Sequence, residues 1–104
     1  MNANTRYTPR DEYTSYWQSH FKNEPYFDSK YKWDDFEPAY TYAYDKRAEF
    51  PDRDFDHVEA SLAAGWEKAR GRSRLAWEEA KRAVRSGWHA IERALPGDAD
   101  RDGL

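Results

Sequence analysis

An all-α single domain of about four helices is the fold class this sequence predicts. Three observations predict it. Apolar residues recur at helical spacing in four stretches. The second half is built largely of Ala, Arg, Glu and Trp, which favour helix. The core material is rings and Ala rather than branched aliphatics: among 104 residues stand four Leu, two Val and one Ile, against eight Tyr, five Trp, five Phe and fourteen Ala. Leu, Ile, Val and Phe together number 12, a level at which disorder is a fair question. A net charge of only -3 and 17% aromatic residues answer it, since each buried ring removes roughly 150–250 Å² from water.

The first helix is expected near 9–22. Thr8 suits the cap, Pro9 the first helical position and Asp11 the third. Tyr13, Tyr16, Trp17, His20 and Phe21 follow on one face, and Asn23-Glu24-Pro25 ends the run. Residues 24–33 read as a loop anchored by rings. A second helix is expected near 36–48, capped by Asp34 or Asp35, with Glu37 and Pro38 in its first turn and Phe36, Tyr40, Ala43 and Tyr44 on one side. Tyr40-Thr41-Tyr42-Ala43-Tyr44 also alternates as a strand would, but a lone strand would have no partner in this chain. Phe50-Pro51-Asp52 breaks the chain. Asp54 or Asp56 then caps a helix near 55–70 with Phe55, Val58, Leu62, Trp66 and Ala69 inward, and Gly71 is its stop. Ser73 caps the last helix, near 74–94, with Trp77, Ala80, Val84, Trp88, Ile91 and Leu95 on its face. The organisation expected is thus a flexible N-terminus over 1–7, a helical domain over 8–95 and a flexible acidic tail over 96–104.

The last two helices repeat at an offset of 22, Gly65-Trp66 mapping onto Gly87-Trp88. Each glycine costs about 1 kcal/mol relative to Ala inside a helix, so each is expected where a ring or another backbone comes close. The repeat itself predicts two amphipathic helices packed as a hairpin.

Several function classes drop out. No apolar run approaches a membrane span, and Met1 to Arg10 lacks the apolar core of a secretory signal. There is no Cys, hence no disulfide or thiolate chemistry; the compartment expected is the cytoplasm. His20, His57 and His89 lie far apart with no ligand spacing, so no metal site is expected. Asp98-x-Asp100-x-Asp102-Gly103 matches half a calcium loop without its twelfth-position acid and reads as a solvated tail. No phosphate loop, nucleophile elbow or dinucleotide turn is present, so neither catalysis nor a cofactor is expected.

Two surfaces remain. On a helix Tyr42 points about 200° away from Tyr40, so Tyr40, Tyr42 and Tyr44 cannot all enter one core, and at least one ring is expected at the surface for a protein or peptide partner. Trp66 and Trp88, at the two Gly-Trp steps, join that expected contact surface. The alternative is nucleic acid on the basic hairpin: residues 57–95 carry a net +3, with Arg70, Arg72, Arg74, Lys81, Arg82 and Arg85 grouped between 68 and 85. Against it stand an overall isoelectric point of 5.6 and interspersed Glu67, Glu78 and Glu79, able to pair along the helix as Glu78 with Arg82.

The run Trp33-Asp34-Asp35-Phe36-Glu37-Pro38-Ala39-Tyr40-Thr41-Tyr42-Ala43-Tyr44 resembles a signature of a group of small bacterial stress-associated proteins, heat-inducible ones among them. Asp54-Phe55-Asp56-His57-Val58-Glu59, Trp66-Glu67 and Lys81-Arg82-Ala83-Val84-Arg85-Ser86-Gly87-Trp88 resemble its later segments, so the likeness covers about residues 13–91. Ala43 stands where the group usually has Gly, and Phe55 where it has Trp. The resemblance implies a role in a stress response and no particular reaction. The function expected is a non-enzymatic, stress-induced interaction module.

Overall fold

In the computed structural model, which describes residues 9–51 and 53–94, four α-helices run as α1 (Arg10–His20), α2 (Trp33–Glu49), α3 (Phe55–Ala69) and α4 (Trp77–Ala94), with a 3-10 turn over Phe21–Asn23. The described residues hold no strand, and the 40–44 run is helical throughout. No described helix is long and apolar enough to cross a membrane. The 1–7 segment, Thr8, Leu95 and the 96–104 tail with its Asp-x-Asp-x-Asp pattern lie outside the described residues.

Each helix begins for a local reason, and three of those reasons differ from expectation. Pro9 is the cap of α1, extended at ψ 150°, rather than its first helical residue. Asp11 and Glu12 favour the positive end of its dipole. α2 starts three residues early. Lys32 is its cap residue, and Asp35, at the third helical position, accepts from the Lys32 backbone N–H at 3.0 Å. Pro38 therefore falls in the second turn, where it supplies no donor for the Asp34 carbonyl. α3 is capped as expected by Asp54, whose carboxylate accepts from His57 N–H at 3.1 Å. It stops before Gly71, whose φ of +56° favours glycine. Ser73 does not cap α4. The helix begins at Trp77, with Glu79 accepting from the Ala76 N–H, while the buried Ser73 hydroxyl donates to the Asp35 carbonyl at 2.5 Å.

α2 is the central helix, packed against α1, α3 and α4, and α3 and α4 pair as the expected hairpin. Its burial follows from this position. A helix with neighbours on several sides buries more than one stripe. α1 brings Trp17 face to face with Tyr40, rings 4.4 Å apart and 7° from parallel, and sets Tyr13 on Tyr44 at 4.9 Å. On the other side Tyr42 meets Trp66 of α3 at 5.5 Å. Phe21, Phe27, Trp33 and Phe36 form a second ring cluster at the end of α1. Five of the seven branched aliphatics (Val58, Leu62, Leu75, Val84 and Ile91) fill the α3–α4 side.

The two helical glycines sit under tyrosine hydroxyls. Tyr42 Oη donates to the Leu62 carbonyl at 2.7 Å and crosses Gly65, where a Cβ would lie 2.7 Å from that oxygen. Tyr13 Oη donates to the Tyr40 carbonyl at 2.5 Å and crosses Gly87 closer still. The expectation that rings approach these glycines holds, and the approaching atoms are polar.

Candidate functional site

The five aromatics expected at a contact surface are all sealed in the core. Tyr40, Tyr42, Tyr44, Trp66 and Trp88 are between 0% and 8% exposed. The premise that α2 has a single buried face is what fails: Tyr40 and Tyr44 are covered from the α1 side and Tyr42 from the α3 side. The tips of Tyr40, Tyr42 and Trp66 are hydrogen-bonded inside the protein. Tyr40 Oη pairs with Tyr26 Oη at 2.6 Å, and Trp66 Nε1 donates to the Leu75 carbonyl at 2.9 Å.

Burial pushes the Tyr13 and Tyr40 phenols far above their ordinary value, and it pushes Tyr26 up to about 12 against hydrogen bonds from Ser86 and Tyr40. A phenol with a raised folded pKa stabilises the fold below its unfolded pKa near 10, and that contribution is lost as pH rises above it. Part of the phenolate absorbance is therefore expected to emerge only together with the loss of helical circular dichroism above about pH 10. Full ionisation with helicity intact would contradict the burial of this network.

The six hairpin cations divide. Arg74 is held by Asp35: its Nε lies 3.1 Å and its Nη2 2.7 Å from the carboxylate, and Nη2 also donates to the Lys30 carbonyl. Arg70 donates to the Leu75 carbonyl at 3.1 Å and pairs weakly with Glu67. Lys81 bridges Glu59 of α3 and Glu78 of its own helix, so Glu78 pairs with Lys81 and not with Arg82 as its spacing suggested. Arg72, Arg82 and Arg85 are exposed. Arg72 lies in the α3–α4 link, and Arg82, one turn before Arg85 on α4, lines a cleft beside Asp28, Glu78 and Glu79. Among the described residues no three His, Asp or Glu side chains are grouped to hold a metal.

Two concave surfaces are better formed. A groove of about 380 Å³ runs between α1 and the last turns of α4, lined by Glu12, Tyr13, Tyr16, Trp17, Ala90, Ile91 and Arg93. Tyr16 stands 49% exposed at its edge, the one large apolar residue so exposed among those described. Its ring stacks on His20 at 4.0 Å, and His20 Nδ1 lies 2.6 Å from the Tyr16 carbonyl, which fixes both rings. Trp17 is buried, yet its Nε1–H has no acceptor among the described residues. Sequence reasoning placed Tyr16 on the inward face. The signal available was angular: Tyr16 lies about 60° round the helix from Tyr13, at the margin of the buried stripe.

The second concavity is a cradle of about 560 Å³ between the end of α1, the 24–32 loop and the start of α2. Gln18, Phe21, Lys22, Phe27, Ser29, Tyr31, Lys32 and Trp33 line it. Sequence reasoning treated these rings only as loop anchors.

Comparison with protein families, curated proteins and solved structures finds no match for this chain.

Proposed function

We propose that this protein is a cytoplasmic, non-enzymatic interaction module that takes a peptide segment of a protein partner in the α1–α4 groove, in the stress role that its resemblance implies. The observation that carries this reading is the exposed Tyr16, stacked on His20, at the edge of an apolar groove walled by Tyr13, Trp17 and Ile91. A peptide supplies what the groove lacks, an apolar side chain to cover Tyr13, Tyr16 and Ile91. Glu12 and Arg93 at the rim offer one charge of each sign to orient it.

Titration with a permanently unfolded polypeptide, followed by NMR, is expected to shift the Trp17 indole N–H resonance. Tyr16→Ala is expected to weaken binding about tenfold, the loss of a half-exposed ring contact. The fold should tolerate the change, because Tyr16 is not a core residue. A Trp17 signal unmoved at about millimolar peptide, a range that captures even weak complexes, would remove the reading.

A further inference from the structure

We propose that the cradle between α1 and the start of α2 binds a nucleotide, its base against the ring wall and its phosphate on Lys22 and Lys32. The cradle is separate from the peptide groove and shares no lining residue with it. Three observations point to this ligand.

The first is the wall. Phe21 is the buried floor, Phe27 and Trp33 lean on it at 5.5 and 5.2 Å, and the half-buried Phe27, Trp33 and Tyr31 line the cavity. Flat rings held rigid by one another form a stacking platform, and stacking on such a platform is worth about 1–3 kcal/mol per base.

The second is the charge. The chain carries more acidic than basic residues, 20 against 17, yet no carboxylate lines this cavity. Its two charged lining groups are ammonium groups; Lys30 and Arg74, which lie over the Tyr31 ring, and Glu79, which accepts from the Tyr31 hydroxyl, are not among the lining groups. A cavity with aromatic walls and cations only is complementary to a planar anion.

The third is polarity and size. The remaining lining groups are the Gln18 amide and the Ser29 hydroxyl. Each can both donate and accept, as the edge of a nucleobase requires. The volume is that of a small-molecule site. An acidic peptide would meet the lysines but would leave rings and amide without matched partners.

The experiment is an NMR titration of the full chain with the four ribonucleoside monophosphates, with adenosine, inorganic phosphate and a short oligo(dT) alongside. Trp33 has its own indole N–H signal, and that signal is the readout. At least one monophosphate is expected to shift it, adenosine to bind at least about fivefold more weakly, and phosphate alone to leave it unmoved. The Lys22→Glu/Lys32→Glu double variant is expected to weaken binding at least about tenfold through like-charge repulsion. Both lysines are exposed, and an acid before the first turn of α2 favours its dipole, so the variant keeps the fold; circular dichroism checks this. Oligo(dT) binding more tightly than the monophosphates would place the nucleotide in a single strand, and the reverse order would make it a free nucleotide; either supports the site. The proposal falls if no nucleotide moves Trp33 at about 10 mM, well above the range of specific small-ligand affinity. It falls equally if the shift survives the charge reversal, or if only an acidic peptide moves the signal.

Discussion

Asp35→Ala is expected to lower the unfolding free energy by about 3 kcal/mol and the melting temperature by about 15 °C. Few surface-adjacent residues join so much of this fold. The Asp35 carboxylate accepts the backbone N–H of Lys32 and of Arg74, each at 3.0 Å, and two guanidinium nitrogens of Arg74, Nε and Nη2. The Asp35 carbonyl accepts the Ser73 hydroxyl, which in turn accepts the Leu75 N–H at 3.2 Å. One residue thus starts α2 and also pins the 70–76 link across 39 positions of sequence. Arg74→Ala is expected to cost less, about 1–2 kcal/mol, because Arg74 is itself half exposed and both backbone donors to Asp35 remain. The guanidinium of Arg74 holds the Asp35 carboxyl at about 2, below its ordinary 3.8, helped by the two backbone donors and opposed by burial. The folded state therefore binds fewer protons than the unfolded state between those values. This contribution is complete above about pH 4 and is lost as pH falls towards 2. Chemical denaturation at a series of pH values is expected to show that loss in the parent and a flatter profile in Asp35→Ala. Equal acid slopes in the two proteins would remove the clamp as the cause.

The helix count and most of the inward stripes of α1, α3 and α4 were legible in the sequence, with Tyr16 and Ala69 the exposed exceptions, because each of these helices has one main buried face, and a period of 3.6 reports one face well. The Gly71 stop was legible because a chain reversal there asks for positive φ. What failed was the reading of α2. A helix with neighbours on several sides keeps only a narrow solvent stripe, here Asp34, Pro38, Thr41, Asp45 and Ala48, so Tyr42, Tyr40 and Tyr44 read as too many rings for one core. The missing rings were found by Gly65 and Gly87, which make room for tyrosine tips from α2 and α1; the glycines were read as close approaches, but their partners cannot be chosen from spacing. Asp35 and Ser73 failed for a related reason. Each has the chemistry of a helix cap, and the long-range pairing that draws them together leaves no local signature. The cradle was hidden because its lining comes from α1, a loop and the start of α2, whose shared concavity exists only after Phe21 packs on Phe36.

Gly87→Ala is expected to destabilise by about 3 kcal/mol, opposite in sign to the roughly 1 kcal/mol gain that helix propensity alone would give. The added methyl would collide with Tyr13 Oη and stand 3.1 Å from the Ala43 methyl. Neither neighbour can swing aside. Ala43 is on the central helix, and the Tyr13 ring is buried against Tyr44 while its hydroxyl is tied to the Tyr40 carbonyl. The clash must then be relieved by moving α1 or α4 as a body, which loosens packing along the α1 side of the core. Gly65→Ala is the milder case, about 1–2 kcal/mol, since only Tyr42 Oη intrudes there and the next atom is 3.8 Å away. The test is a double-mutant cycle. Tyr13→Phe removes the intruding oxygen at a cost of about 1 kcal/mol, the hydrogen bond to Tyr40. Gly87→Ala/Tyr13→Phe is expected to be more stable than the sum of the single effects by about 2 kcal/mol. Strict additivity, or a Gly87→Ala protein more stable than the parent, would show that the hydroxyl does not lie over the glycine. Because Tyr13 also lines the α1–α4 groove, the same variant couples core to surface: moving α1 away from α4 widens the groove, and peptide affinity should fall along with stability.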